Sequence, residues 1–279
     1  MIKTALIGHP LGHSLSGVIH TAAYKSVGLE GKYDVIDTPA DKIAETIERL
    51  KKEGYAGFNV TIPHKVEVKK YLTLSDMLVE YAGCTNCVRI KPNGEMWGFN
   101  TDIYGFTEAI PQEKREALAG KKALILGNGG ASRAVAVALI MMKVAEIDFR
   151  VRDFDKAAGL YELMQTKFKK TKTSLIKTVS DIEQYSVIVN TTPLGTVGEN
   201  GGKMPIAAAL LEQAKKDTII YDLVYNPTET PYIKTAKDFG LYTVGGIDML
   251  VYQAAKAFKI FTGKEPDFDA MKSAALKFL

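Results

Sequence analysis

Ala123-Leu124-Ile125-Leu126-Gly127-Asn128-Gly129-Gly130-Ala131-Ser132-Arg133-Ala134 reads as a strand, a tight turn and a helix. Gly127 permits the sharp turn, and Gly129 lets a diphosphate approach the backbone. The N–H groups at the start of the helix favour an anion. The third glycine of a G-x-G-x-x-G pattern is Ser132 here, still small enough for close packing of helix on strand. A glycine motif alone is weak evidence, and a plain strand-to-helix connection is the competing reading. The strand before it and the helix after it predict a dinucleotide site at Gly127, Asn128, Gly129, Gly130 and Ala131.

The end of the following strand, Ile147-Asp148-Phe149-Arg150-Val151-Arg152-Asp153, should select the base-proximal group. An acidic residue at the strand end would bond a ribose 2′-hydroxyl and favour NAD. Val151 stands there instead, followed by Arg152. A guanidinium fork suits a 2′-phosphate, which favours NADP. Asp153 could repel that phosphate or pair with Arg150 or Arg152. Together with Val151 it leaves NAD open. The bland alternative is that both arginines are ordinary surface charges.

Outward from this turn, short β-branched runs alternate with helical patterns. Strands are expected at Lys3–Gly8, Lys32–Asp37, Gly57–Thr61, Val88–Ile90, Lys122–Leu126, Glu146–Val151, Val187–Asn190, Thr218–Asp222 and Tyr242–Val244. Helices are expected at Lys42–Glu53, Ala131–Met142 and Thr230–Phe239, among others. Such alternation predicts an α/β protein with mostly parallel sheets. From Asp248 to Leu279 only two helical stretches are expected, split at Gly263-Lys264-Glu265-Pro266. A domain boundary is expected near residues 101–121.

The 279 residues carry 36 Lys+Arg against 32 Asp+Glu, a net charge of +4. At 46% hydrophobic and 24% charged the composition is that of a folded globular chain, not a disordered or low-complexity one. The charge is too dilute for a nucleic-acid binder. Two cysteines make no disulfide framework. No signal peptide is expected, and no run reaches the roughly 18 to 20 apolar residues of a membrane span. A soluble cytoplasmic protein without membrane partners is the expectation.

The first 102 residues hold further polar features. Ser14 and Ser16 lie near the start of a helix, where two hydroxyls and the helix dipole could hold a carboxylate. Simple N-capping by one serine is the equal alternative. Phe58-Asn59-Val60-Thr61-Ile62-Pro63-His64-Lys65 is a strand ending in a turn, which places Thr61 and Lys65 at a sheet's carboxyl edge. A lone lysine is usually a solvated charge, and Asp102 before a helix is usually a cap. If the two met in a cleft, they would form a proton-transfer pair. His9 and His13 are four apart without the ligands that complete a metal set, so no metal is expected. Cys84 and Cys87 read as two small buried residues.

These segments together resemble the shikimate dehydrogenase family along nearly the whole chain. The motifs are Gly8-His9-Pro10, His13-Ser14-Leu15-Ser16 with His20, Asn59 to Lys65, Asn86, and Gly98 to Gly105. They continue with Asn190-Thr191-Thr192-Pro193-Leu194-Gly195 and Asp222-Leu223-Val224-Tyr225-Asn226-Pro227 with Thr230-Pro231. Gly245-Gly246-Ile247-Asp248-Met249-Leu250, Gln253, Phe258 and Thr262-Gly263 complete the set. Departures are Gly17 for a usual proline, Val151-Arg152-Asp153 for Asn-Arg-Thr, Cys84 and Cys87 for Ala and Thr, and Phe261 for tryptophan.

The resemblance implies reversible reduction of 3-dehydroshikimate to shikimate, with NADP as cofactor. It implies that Lys65 and Asp102 are the catalytic pair, with Lys65 the favoured acid/base. Ser14 and Ser16 would hold the carboxylate, with Tyr225 nearby. Thr61, Asn86 and Gln253 would join the pair around the ring hydroxyls. The glycine loop, Arg152 and Thr191 would hold the dinucleotide, with Gly246 and Met249 beside the nicotinamide. It implies a two-lobed α/β architecture: residues 1–103 with 238–279 as substrate-binding domain, and 104–237 as a Rossmann-type dinucleotide-binding domain. A monomer or homodimer is expected, with a small-molecule substrate as partner and no nucleic acid. The alternatives are a relative that also oxidises quinate, with NAD or NADP, and a catalytically silent nucleotide-binding regulator. Retention of Lys65 and Asp102 argues against the latter.

The dilute charge also gains a location. Arg150, Arg152, Lys156, Lys167, Lys169, Lys170 and Lys172 face only Asp153, Asp155 and Glu162, a surplus equal to the net charge of +4. The arginines are expected to contact the adenosine phosphate. The Lys167–Lys172 lysines are expected to supply only long-range attraction.

Overall fold

The computed structural model describes residues 1–12 and 14–279, so His13 lies outside the described residues. The chain divides into two compact units. The first comprises residues 1–105 and 251–278, and the second residues 106–250 with Leu279.

The first unit carries a six-stranded sheet of β1 (Ile2–Gly8), β2 (Gly31–Asp37), β3 (Gly57–Val60), β4 (Leu74–Ser75), β5 (Cys87–Ile90) and β6 (Met96–Phe99) in the order β2-β1-β3-β5-β6-β4. β1 pairs in parallel with both β2 and β3. β5 runs antiparallel to β3 and to β6, which makes the sheet mixed. Its helices are α1 (Ser16–Ser26), α2 (Ile43–Lys52), α3 (Met77–Ala82), the start of α4 (Thr101–Glu108), most of α10 (Gly246–Thr262) and α11 (Phe268–Leu276). α2 shows why its sequence folds as it does. Ile43, Thr46, Ile47 and Leu50 recur at helical spacing and are buried, and the apolar three join Ala5, Phe58 and Val88 in one core. Burying an aliphatic side chain of this size stabilises by about 1.5–3 kcal/mol.

The second unit carries β7 (Lys122–Leu126), β8 (Glu146–Arg150), β9 (Lys172–Ile176), β10 (Val187–Asn190), β11 (Ile219–Asp222) and β12 (Tyr242–Val244) in the order β12-β11-β10-β7-β8-β9. Every pair is parallel. Between them run α5 (Gln112–Ala117), α6 (Gly130–Met141), α7 (Phe154–Lys167), α8 (Ala208–Leu211) and α9 (Pro231–Asp238). This is a doubly wound α/β layer whose strand order reverses between β7 and β10, the place where such sheets take ligands. The apolar strands are buried on both faces, as crossover helices require. Helix starts are fixed locally. Asp153 caps α7, Thr230 caps α9 with Pro231 behind it, and Asp267 caps α11.

Within the region where a domain boundary is expected, the first half of residues 112–122 forms α5. Two differences from the sequence reading have physical causes. Residues 238–250 do not go with the first unit: β12 pairs with β11, so the chain leaves the second unit only within α10. The Lys167–Lys172 lysines do not lie beside Arg150 and Arg152. Glu146 pairs with Lys172 at the amino end of parallel strands β8 and β9, whereas Arg150 closes β8 at the other end. The lysines therefore sit on the edge of the sheet opposite the glycine turn.

Candidate functional site

Strand direction brings the first unit's polar residues together. β1 and β3 are parallel and end side by side, Ile7 opposite Val60. Their continuations are tied, since Thr61 N donates to the Ile7 carbonyl at 2.9 Å and His9 N to the Ile62 carbonyl at 2.9 Å. β5 is antiparallel to β3, so it begins at that edge, and β6 ends there, with Cys87 opposite both Asn59 and Phe99. Ser14 and Ser16 after β1, Thr61 and Lys65 after β3, Asn86 before β5 and Asp102 after β6 thus all leave from one edge of the sheet.

Lys65 and Asp102 do meet. Lys65 Nζ lies 2.6 Å from Asp102 Oδ2, with side chains only 15% and 8% exposed. Burial pulls the Lys65 ammonium towards its neutral form. The charge and hydrogen bond of Asp102 act in the other direction and prevail, so the Lys65 pKa lies above the ordinary lysine value. Asn86 fixes the carboxylate from behind: its Nδ2 donates to Asp102 Oδ1 at 2.7 Å and to Thr101 Oγ1 at 2.9 Å. Its Oδ1 accepts from Thr101 N at 2.7 Å, at the start of α4. Gln253 of α10 lies 3.4 Å from the same amide through Oε1. Asp102 is therefore held on both oxygens.

Thr61 is half-buried in the turn closed by His64 N on its carbonyl. Ser14 and Ser16 are also half-buried. Neither caps α1 in the usual way: the cap position is Leu15, and Ser14 Oγ accepts from Ser16 N at 3.3 Å. Behind them Tyr33 donates to Asn59 Oδ1 at 2.9 Å, and Asn59 Nδ2 donates to the Asn86 carbonyl at 3.1 Å. This buried support was not foreseen, because Tyr33 is remote in sequence from the motifs it braces. Cys84 and Cys87 are free and buried, as read.

In the second unit the glycine turn closes the carboxyl end of β7. Gly127 has φ +117, and a Cβ there would lie 2.7 Å from Thr191 Oγ1. Gly129 faces open space, and α6 begins at Gly130 with no side-chain cap. Asn128 and Ala131 flank it, half-buried. Ser132 is buried and its Oγ lies 2.7 Å from Thr191 Oγ1, which itself donates to the Leu126 carbonyl at 2.7 Å. A glycine-lined turn opening on an uncapped helix start fits a dinucleotide diphosphate. Arg152 is exposed, without an ion pair among the described residues. Asp153 pairs with neither arginine: its Oδ1 accepts from Asp155 N at 3.0 Å and Lys156 N at 3.3 Å as the cap of α7. Val151 is buried. Arg152 is thus an exposed guanidinium that no described carboxylate engages. Gly246 packs so closely on the Leu223 and Val224 carbonyls that a Cβ would collide with backbone, and Met249 is buried one turn on. Tyr225 follows β11 in this unit, where burial raises its pKa.

In the sequence Asp222 is only part of a matching motif, but in the structure it is a hub. It accepts from Asn190 Nδ2 at 2.8 Å, Val224 N at 3.0 Å and Thr230 Oγ1 at 2.6 Å. Among the described residues no group of three or more His, Cys, Asp or Glu could hold a metal ion, and no helix is long and apolar enough to cross a membrane.

The chain is similar to known proteins over nearly its whole length. The family model for the shikimate dehydrogenase substrate binding domain matches residues 6–88, and that for the shikimate 5'-dehydrogenase C-terminal domain matches residues 246–276. A shikimate dehydrogenase (NADP(+)) of Methanococcus maripaludis is 39% identical over 270 residues, which cover 96% of this chain and 94% of the relative. The crystal structure of shikimate 5-dehydrogenase from Thermus thermophilus, in complex with NADP(H) and shikimate, matches with a TM-score of 0.86 at 32% identity, covering 100% of both chains. A quinate dehydrogenase from Corynebacterium glutamicum, in complex with NAD, matches with a TM-score of 0.90 at 28% identity over 99% of each chain. The chain belongs to the shikimate dehydrogenase family.

Proposed function

We propose that the protein catalyses the reversible NADP-dependent interconversion of shikimate and 3-dehydroshikimate, the first unit holding the substrate and the second the dinucleotide. The observation that carries this reading is the buried Lys65–Asp102 pair, braced by Asn86. A raised pKa keeps Lys65 an ammonium at neutral pH, the form that donates a proton to the oxygen of a carbonyl under reduction. In the reverse direction the neutral amine takes that proton from the alcohol. The nicotinamide, when bound, supplies or takes up the hydride.

Ser14 and Ser16 hold the carboxylate in this reading. Thr61, Asn86 and Gln253 bond the ring hydroxyls and so set the reacting carbon against Lys65, and such positioning lowers the barrier by itself. Gly127 to Ala131 hold the diphosphate, Arg152 the 2′-phosphate, and Thr191, Gly246 and Met249 line the nicotinamide end. NADP is favoured over NAD because Arg152 has no ion pair among the described residues while Asp153 is committed to capping α7. Similarity to the quinate dehydrogenase keeps quinate as the second substrate to be assayed.

The test is steady-state shikimate oxidation by wild type and Lys65→Ala with NADP. Loss of the acid/base group should lower kcat by about 10²–10⁴ and leave the KM for shikimate within a few-fold. Wild-type turnover in the variant would reject the role of Lys65.

A further inference from the structure

We propose that Asp222 is a positioning residue for the bound dinucleotide, holding the loop after β10 and the turn after β11 in the arrangement that receives the nicotinamide end. The proposal rests on the dinucleotide reading of the second unit and names the residue that organises that site. Asp222 closes β11 and is fully buried. Its Oδ1 accepts from Asn190 Nδ2 at 2.8 Å, at the end of the adjacent strand, and from Val224 N at 3.0 Å. Its Oδ2 accepts from Thr230 Oγ1 at 2.6 Å, at the cap of α9.

Each partner passes the constraint on. Asn190 Nδ2, bonded to Asp222, also donates to the Leu194 carbonyl at 3.1 Å, and its Oδ1 accepts from Thr192 N at 3.0 Å and Thr192 Oγ1 at 2.7 Å. That fixes the loop of Thr191, whose hydroxyl meets Ser132 beneath the glycine turn. Val224 leads to Tyr225, and the carbonyls of Leu223 and Val224 form the surface on which Gly246 packs. One fully buried carboxylate thus ties together segments that contain Thr191, Tyr225 and Gly246.

The bonds come from uncharged donors on β10, in the turn after β11 and at the cap of α9. The titratable group acting across the packing is Tyr232 of α9, which burial holds neutral. Burial pushes the Asp222 pKa up to about 6, against the hydrogen bonds from Thr230, Val224 and Asn190. The ionised, three-bond form therefore predominates above about pH 6, and the acid form below it. Because the folded protein holds this proton more tightly than the unfolded chain does, ionisation of Asp222 costs stability as pH rises through that range.

The test is fluorescence titration of NADPH into wild type and Asp222→Asn at pH 7.5 and pH 5, with thermal unfolding of both at pH 7.5. The amide imitates the protonated acid. At pH 7.5 the variant should bind NADPH about five- to tenfold more weakly, the gain of charge-assisted over neutral bonds, with a thermal midpoint unchanged or higher. At pH 5 the ratio of the two dissociation constants should approach one. The cofactor's own titration is common to both proteins and cancels in that ratio. Thr230→Val should weaken binding in the same direction, and Thr230→Ser should restore it. A ratio near one at pH 7.5, a ratio that does not change with pH, or a midpoint that falls in step with affinity would overturn the proposal. Failure of wild type to bind NADPH at all would instead overturn the dinucleotide reading.

Discussion

Lys65 stands at the balance of two opposed effects, and its partner decides the outcome. Burial alone would favour the neutral amine, and Asp102 reverses that preference. Asp102→Asn removes the reversal and leaves the burial, so the Lys65 pKa should fall. Shikimate oxidation needs the neutral amine, and its rate rises with pH towards the Lys65 pKa. The acid limb of the kcat profile should therefore move to lower pH in the variant, with kcat reduced because Lys65 loses its fixed direction. An unmoved limb would show that Asp102 does not tune Lys65. Arg152 gives the second prediction at this scale. Arg152→Ala should raise the KM for NADP by roughly tenfold or more, as loss of charge-assisted phosphate bonds implies, and leave the KM for NAD unchanged. Equal effects on both cofactors would place Arg152 elsewhere than at the 2′-phosphate.

Elements succeed or fail here by how local their causes are. The strand–glycine–helix from Ala123 to Ala134 was legible because each cause lies within it: an apolar run, a residue with φ +117 and a small buried Ser132. β6 and β9 were not. Met96-Trp97-Gly98-Phe99 contains a glycine and is a strand because β5 folds back on it. β9 emerges from the lysine-rich run and is recruited by β8. The same limit hid the Asp222 hub, since its partner Asn190 is on another strand. Ser14, Thr61, Asn86 and Asp102 could be proposed as site residues from their motifs, but Asn86 and Asp102 join the edge of Ser14 and Thr61 only because β5 runs antiparallel to β3 and β6. Gly127 offers the test at this scale. In Gly127→Ala the Cβ would press on Thr191 Oγ1 from a backbone conformation that alanine rarely adopts. NADPH affinity should fall, and the thermal midpoint should drop by several degrees for a cost of about 1–3 kcal/mol. Unchanged affinity in calorimetric titration would mean that the turn does not carry the diphosphate.

For the whole molecule, the division of labour follows from two sheets of different construction. The mixed sheet of the first unit turns β5 and β6 back so that a lysine, a carboxylate and an amide converge. The all-parallel sheet of the second reverses its order at β7 and β10, where the glycine turn lies. Of the basic residues behind the local surplus, Arg150 and Arg152 lie towards the glycine-turn end of the second sheet, whereas the Lys167–Lys172 lysines lie at its opposite end. The most direct test of the proposed activity uses the intact chain with shikimate or quinate, each with NADP or NAD, and follows the absorbance of the reduced nicotinamide. Turnover should be fastest with shikimate and NADP. Absence of reduced nicotinamide in all four mixtures would contradict the proposed activity.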